Sequence, residues 1–318
     1  MNRTRYNRSM GRFEQQPDGA APSPGDPGNL LTRRRFLATA GLCTAGLTFY
    51  AGEIDRHAIE IVSQTIHITN LPDAFHGMRI AQLSDIHYDN FSEPGFVRHA
   101  IQKINALAPD MVLFTGDYVS KGPSSRVLNE DHAQHCAAIL NDVLCPQRYA
   151  VLGNHDASVG AAMVTDALTS NGIPVLSDTY RALERDGQRV WLVGLHDAGT
   201  LSALPDLNAA TPPAGDEPVL LMVHEPDYAD ILMASPLAAR TDLMLAGHSH
   251  GGQIRLPVIG PLFRPPWGKK YVNGLFHFPQ NGKTVQLYVN RGLGTVGLPL
   301  RFYCPPEITL ITLSAEPV

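Results

Sequence analysis

Short apolar runs that stop abruptly at polar residues punctuate this chain. Residues 79–87 (RIAQLSDIH), 111–117 (MVLFTGD) and 149–156 (YAVLGNHD) each read as a buried strand ending in Asp, Asn or His. Between the first two, Val97, Ile101, Ile104 and Leu107 recur at helical spacing. Between the second and third, Ala137, Leu140 and Leu144 share one helical face. Strands alternating with helices, and apolar on both faces, predict a parallel sheet. A third helix is expected over 159–170.

The second half reads as richer in strands. Residues 181–197 (RALERDGQRVWLVGLHD) predict a hairpin turning at Asp186-Gly187. Residues 218–227 (PVLLMVHEPD) form another buried run, followed by a short helix carrying Tyr228, Ile231 and Leu232. Then come TDLMLAGHSH (241–250) and two further strand candidates, TVQLYVN and EITLITL. Residues 200–217 are an Ala-, Pro- and Asp-rich loop insertion, and no solenoid repeat is visible.

Composition changes this picture mainly at the N-terminus. With 44% hydrophobic and 17% charged residues, the 318-residue chain is ordinary for a globular protein. Residues 1–31 are polar and rich in Pro and Gly, and are expected to be disordered. In 32–52, Thr32-Arg33-Arg34-Arg35-Phe36-Leu37 heads a mildly apolar run and resembles a twin-arginine export signal. As a helix, Phe36 to Ala51 would reach ~24 Å, short of the ~30 Å bilayer core. The segment is read as a signal or a membrane anchor. The expected location is periplasmic or otherwise extracytoplasmic, with the export machinery as a partner. Residues 53–318 remain for one domain. The formal net charge of −5 argues against a basic nucleic-acid surface, so no specific nucleic-acid partner is expected.

Four cysteines give no disulfide framework. On a shared helix Cys136 and Cys145 would lie ~13 Å apart, beyond the ~7 Å limit for a bridge. These two and Cys304 are read as packing residues.

The chemistry sits at the strand ends. Asp85 and His87, Asp117, Asn154 and His155, His224, and His248 with His250 each follow a buried run. Ligands in open α/β sheets bind at the carboxyl ends of strands, so these ends are expected to converge on one sheet edge. The set lacks cysteine, which disfavours a structural zinc site. Imidazole with carboxylate and amide oxygen suits Zn, Mn, Fe or similar divalent ions. There are too many ligands for one tetrahedral ion, but enough for two ions sharing a carboxylate, a recurring solution for phosphoester hydrolysis.

The ordered motifs Asp85-Ile86-His87, Gly116-Asp117, Gly153-Asn154-His155-Asp156, His224 and Gly247-His248-Ser249-His250 resemble the calcineurin-like metallophosphoesterase family. The closing LYVNRGLGTVGLPLRFYCPPEITLITL resembles its exported or membrane-associated bacterial branch, some members of which act on lipid-linked or nucleotide-sugar pyrophosphates. The resemblance implies a four-layer α-β-β-α sandwich of two mixed sheets flanked by helices. It implies two divalent metal ions, the first on Asp85, His87 and His250, the second on Asn154, His224 and His248, with Asp117 bridging. It also implies a metal-activated hydroxide that attacks a phosphodiester or pyrophosphate. His155 resembles the non-ligand histidine that contacts phosphate or protonates the leaving oxygen, and Asp156 is expected to fix its tautomer. A broad phosphomonoesterase or nuclease, or a non-catalytic metal-binding envelope protein, are the alternatives.

Other polar residues are given blander roles. His196 is expected to be a loop or cap residue, and His132 and His135 a solvated helix face. Arg291 and Arg301 are read as salt-bridge formers, with substrate contact as the alternative. Gly251 and Gly252 are expected to allow a tight turn beneath the metals. Residues 256–278 mix Phe263, Trp267 and Tyr271 with Arg264, Lys269 and Lys270. This suits either a membrane interface or a proline-rich loop packed on its own domain.

Overall fold

The computed structural model describes residues 33–89, 93–122, 126–199, 203–280 and 282–315. The predicted disordered region 1–31 lies outside them. The chain separates into two compact units, Met1–Ala45 and Gly46–Val318. Helix α1 (Arg33–Phe49) buries no residue. No helix among the described residues is long and apolar enough to cross a membrane.

In the larger unit the strands are β1 (Glu60–Ile68), β2 (Arg79–Leu83), β3 (Met111–Phe114), β4 (Arg148–Ala150), β5 (Thr179–Arg185), β6 (Gln188–Gly194) and β7 (Val219–Met222). They continue with β8 (Thr241–Ala246), β9 (Arg255–Leu256), β10 (Gly260–Pro261), β11 (Gly274–Gln280), β12 (Lys283–Val289) and β13 (Glu307–Ala315). Helices α2 (Pro94–Leu107), α3 (Arg126–Leu140), α4 (Asn154–Ser170) and α5 (Ala229–Met233) lie between them. A five-stranded sheet has the order β1-β13-β2-β3-β4, and a six-stranded sheet β11-β12-β8-β7-β6-β5. Strands β2, β3 and β4 are parallel, with α2 and α3 as their crossovers, as the alternating pattern predicts. Strands β6, β7, β8 and β12 are also parallel, with β5 and β11 antiparallel at the edges, and in the five-stranded sheet β13 runs antiparallel to β2, so both sheets are mixed. The β5–β6 hairpin turns at Asp186 and Gly187, both at positive φ.

The apolar runs are continuous because each strand feeds two cores. Along β3, Met111 and Leu113 enter the core between the sheets, while Val112 and Phe114 enter the one beneath α2, α3 and α4. Along β8, Leu243 and Leu245 point between the sheets, while Met244 and Ala246 point to the outer face that Leu232 of α5 covers. Alternation of period two between two apolar environments leaves few polar positions; buried Gln82 on β2 is one, donating to Thr115 Oγ1 and the Ala246 carbonyl. The result is the four-layer α-β-β-α sandwich that the resemblance implied. Cys136, Cys145 and Cys304 are buried and free, in keeping with a packing role.

Two elements depart from the expectations. His132 is buried rather than solvated, its ring 6.2 Å from that of Tyr88, whereas His135 is exposed beside Asp131. Strand β1 was not anticipated. It pairs in parallel with β13 at the sheet edge, and its first half is largely exposed.

Leu243→Ala would open a void in the fully buried core between the sheets. It is expected to cost about 2–5 kcal/mol, to be measured by chemical denaturation with unchanged far-UV dichroism.

Candidate metal centre

The strand ends that carry the chemistry belong to both sheets rather than to one edge. Strands β2, β3 and β4 deliver Asp85 and His87, Asp117, and Asn154 from the first sheet; β7 and β8 deliver His224, His248 and His250 from the second. The turn after β2 and the turn after β3 are bonded side by side. Asp85 N–H donates to the Gly116 carbonyl (2.9 Å), and His87 N–H to the Asp117 carbonyl (3.0 Å). From the other sheet, His248 N–H reaches the Asp85 carboxylate at 3.0 Å.

These turns are tight, and the backbone shows it. Asp85, His87, Asp117, His248 and His250 all have φ between 51° and 68°, a region that non-glycine residues seldom occupy. Such conformations persist where the surroundings over-determine them, and they cluster at functional sites. Gly116, at φ 97°, has no alternative: a Cβ there would lie 2.7 Å from His224 Nδ1. Gly251 and Gly252, at φ 60° and 85°, make the turn expected of them.

Three groups of potential ligand atoms result: Asp85, His87 and His250; His87, Asp117 and His155; and Asp117, His224 and His248. Within each group the ligand atoms lie within 4.8 Å of one another. Asp117 Oδ2 is 3.4 Å from His87 Nε2 and 3.2 Å from His224 Nε2, so it stands between the outer groups. His87 Nε2 and His250 Nε2 face each other at 3.0 Å, with Asp85 Oδ1 3.3 Å from the latter.

The donor chemistry fits cations. Carbonyls can only accept, so the Thr115 carbonyl at 2.7 Å from His224 Nδ1 places a proton on that nitrogen. Nε2 then faces the Asp117 carboxylate at 3.2 Å, a contact that needs a positive charge, a proton or a cation, between the two. His248 is fixed in the same way by the Pro266 carbonyl, 2.7 Å from Nε2, which leaves Nδ1 as the lone-pair nitrogen. His250 Nδ1 is buried with no hydrogen-bond partner.

The ionisation of these groups points the same way. Burial holds His87, His250 and His248 below the ordinary imidazole pKa, although Asp117 opposes it. These rings are therefore neutral, the form that binds metal. Burial also disfavours charge on His224, but Asp117, Asp85 and Glu225 together carry its pKa well above the usual value. Burial would raise Asp117, yet His224, His87 and His155 hold it well below the carboxylate range. The site is built for negative oxygen and added positive charge.

Asp156 does something other than the role expected of it. Its oxygens accept from the backbone N–H groups of Gly153, Asp117, Tyr118 and Val119, at 2.8–3.2 Å. It therefore fixes the turn that carries Asp117, and it does not set the tautomer of His155. Lys121 N–H does that, donating to His155 Nδ1 at 2.8 Å and leaving the proton on Nε2. Burial and the Asp117 charge push Asp156 up to about 8, against the four N–H donors that favour its anion.

Arg291 forms the expected ion pairs, with Glu307 (2.5 Å) and Glu60 (2.7 Å). Arg301 does not. It is fully buried, and its guanidinium donates to the carbonyls of Arg291, Gly292, Gly294 and Cys304. It thereby gathers the loop whose Leu293 and Gly294 N–H groups bond the Ser84 and Asp85 carbonyls. His196 is a loop anchor, as expected, bonded to Asp178 (2.7 Å) and the Ala203 carbonyl (3.1 Å). A cavity of about 570 Å³ opens over the centre, with Asp117, Asn154 and His248 in its floor and Phe263, Trp267 and Leu298 in its walls.

A cluster of buried imidazoles and carboxylates at the strand ends of an α-β-β-α sandwich defines a metal-dependent phosphoester hydrolase. Residues 78–252 match the calcineurin-like phosphoesterase family, and the chain belongs to that family. It is similar to the uncharacterized metallophosphoesterase YkuE of Bacillus subtilis, 36% identical over 306 residues that cover 90% of this chain and 98% of that one. It is also similar to the phosphodiesterase YaeI of Escherichia coli, 31% identical over 291 residues (89% and 100%). The UDP-2,3-diacylglucosamine pyrophosphatase LpxG of Chlamydia trachomatis is 28% identical over 305 residues (78% and 88%).

Asp156→Asn would set an amide NH₂ against backbone N–H donors. It is expected to destabilise the protein by about 1–3 kcal/mol and to lower its metal content, read by thermal melting and elemental analysis.

Proposed function

We propose that the chain hydrolyses phosphodiester or pyrophosphate bonds at a dinuclear centre. Asp85, His87 and His250 would hold one ion, Asn154, His224 and His248 the other, and Asp117 would serve both. The observation that carries this reading is the position of Asp117 Oδ2 between His87 and His224. When bound, divalent ions such as Mn, Zn or Fe supply positive charge for the phosphate and lower the pKa of the attacking water.

The protein's own groups do the rest. His155 N–H holds Asp117 Oδ1 at 2.8 Å, which orients the shared carboxylate. The His155 ring, its Nδ1 occupied by Lys121, keeps a proton on Nε2 to donate to a phosphate oxygen or to the leaving oxygen. The Thr115 and Pro266 carbonyls prevent His224 and His248 from turning. His155 is thus the acid, and Asp156 a positioning residue.

The substrate we favour is amphiphilic and belongs to the cell envelope. Ile254, Leu262, Phe263, Trp267, Val296 and Leu298 give the cavity apolar walls directly above the polar floor. The LpxG relative is named for a diacylated nucleotide-sugar substrate, which suits such a cavity. We read Arg33-Arg34-Arg35 and α1 as a twin-arginine export segment or anchor, which places the domain outside the cytoplasm.

The test is hydrolysis of a bis-aryl and a mono-aryl phosphate by the full chain loaded with manganese. The diester should turn over faster, and Asp117→Asn should lower kcat by at least about a hundredfold. His155→Gln should lower kcat by about 10²–10⁴ with metal content unchanged. A faster monoester would favour a phosphomonoesterase, and a folded, metal-loaded chain inert to both would favour a non-catalytic binder.

A further inference from the structure

The cavity over the metal centre opens beside a group of exposed apolar side chains. Two segments form it, the β9–β10 hairpin with its continuation to Phe263, and the loop from Val296 to Tyr303. Val258 is fully exposed at the hairpin tip, Ile259 is 71% exposed and Phe263 69%. Leu262, Leu298 and Tyr303 are exposed beside them. Contiguous exposed apolar side chains of this kind mark an interaction surface.

The surface is knitted together. Arg255 N–H donates to the Phe302 carbonyl (2.9 Å), and Phe302 N–H to the Gln253 carbonyl (3.0 Å). The Gln253 side chain bonds Val296 and Leu298 across the gap, at 2.8–3.1 Å. The apolar side chains are thus presented by a bonded frame.

We propose that the rim formed by Val258, Ile259, Leu262, Phe263, Leu298 and Tyr303 is a bilayer-docking surface that sets the cavity mouth against the lipid headgroups. Three observations select a bilayer as the occupant. First, the polypeptide that follows α1 joins the domain at this rim. Arg301 N–H donates to the Ala51 carbonyl (3.0 Å), and the Tyr50 and Phe302 rings lie 6.1 Å apart. The chain that leads covalently into this junction carries Phe36, Leu37, Leu42, Leu47 and Phe49, all exposed apolar residues. Second, residues 256–278 contain Arg264, Lys269 and Lys270 and no acid. Asp230 pairs with Lys270, while Arg264 and Lys269 remain exposed to meet anionic headgroups.

Third, Leu262, Phe263 and Leu298 belong both to the rim and to the cavity wall. A protein seated on the rim would close the cavity mouth. A bilayer covers the same apolar surface and at the same time supplies an amphiphile, whose chains can slide along that wall while its phosphate reaches the floor. This last point rests on the phosphoesterase reading above; the docking surface does not.

The test uses the full chain with Cys43→Ser, so that the remaining native cysteines are the buried ones. A polarity-sensitive dye is placed at Ile259→Cys, and in a control at Val127→Cys on the exposed side of α3. With phosphatidylethanolamine–phosphatidylglycerol vesicles carrying a spin-labelled quencher, the dye at 259 should shift to the blue and be quenched, and the dye at 127 should not. Val258→Ser with Ile259→Ser should weaken vesicle partitioning at least about tenfold and leave turnover of a soluble bis-aryl phosphate unchanged. A dye at 259 that stays in water on vesicle-bound protein would overturn the proposal, because α1 alone would then be the attachment. A blue shift without vesicles that grows with protein concentration would also overturn it, in favour of a second copy on the rim. Vesicle responses as expected with no turnover of any phosphate ester would remove the phosphoesterase reading and leave the docking surface standing.

Discussion

A single buried carboxylate organises this protein. Asp117 sits at the end of β3 with one oxygen held by the His155 N–H and the other facing imidazoles from β2 and β7. A buried anion is costly unless positive charge or donors surround it. Here imidazoles from two sheets converge on it, with Asp85 close by, and the outer groups of candidate ligands meet there. The two-sheet sandwich is what allows residues more than a hundred positions apart in sequence to face one carboxylate.

Around that carboxylate the fold invests buried polar groups of its own. Asp156 gathers four N–H groups of the turns beside it, and Arg301 gathers four carbonyls of the loop that packs on Asp85. One is a carboxyl group among donors and the other a guanidinium among acceptors. Both lock backbone rather than side chains. Backbone so pinned can hold Asp85, Asp117 and His250 at positive φ, a conformation that would otherwise relax.

Much of this was legible in the sequence for a physical reason. Strands buried on both faces are largely apolar, so β2, β3, β7 and β8 stand out, and so do the Asp and His residues in the turn after each. The edge strand β1 escaped because its partly exposed side chains break the apolar run. The roles of Asp156 and Arg301 escaped because their partners are backbone groups, which leave no mark in residue type. His132 was misjudged because α3 is covered on more sides than its pattern suggests. That residues 256–278 divide between a cavity wall and a structural segment ending in buried Tyr271 depends on tertiary packing.

On the reading proposed here, two ions occupy separate ligand sets joined by Asp117. Metal stoichiometry in single-ligand variants addresses that claim most directly. Elemental analysis of the manganese-loaded full chain should give two ions in the wild type. His250→Ala and His224→Ala should each retain one, because each removes a ligand from a different set. One ion in the wild type, or the same complete loss or complete retention in both variants, would contradict it.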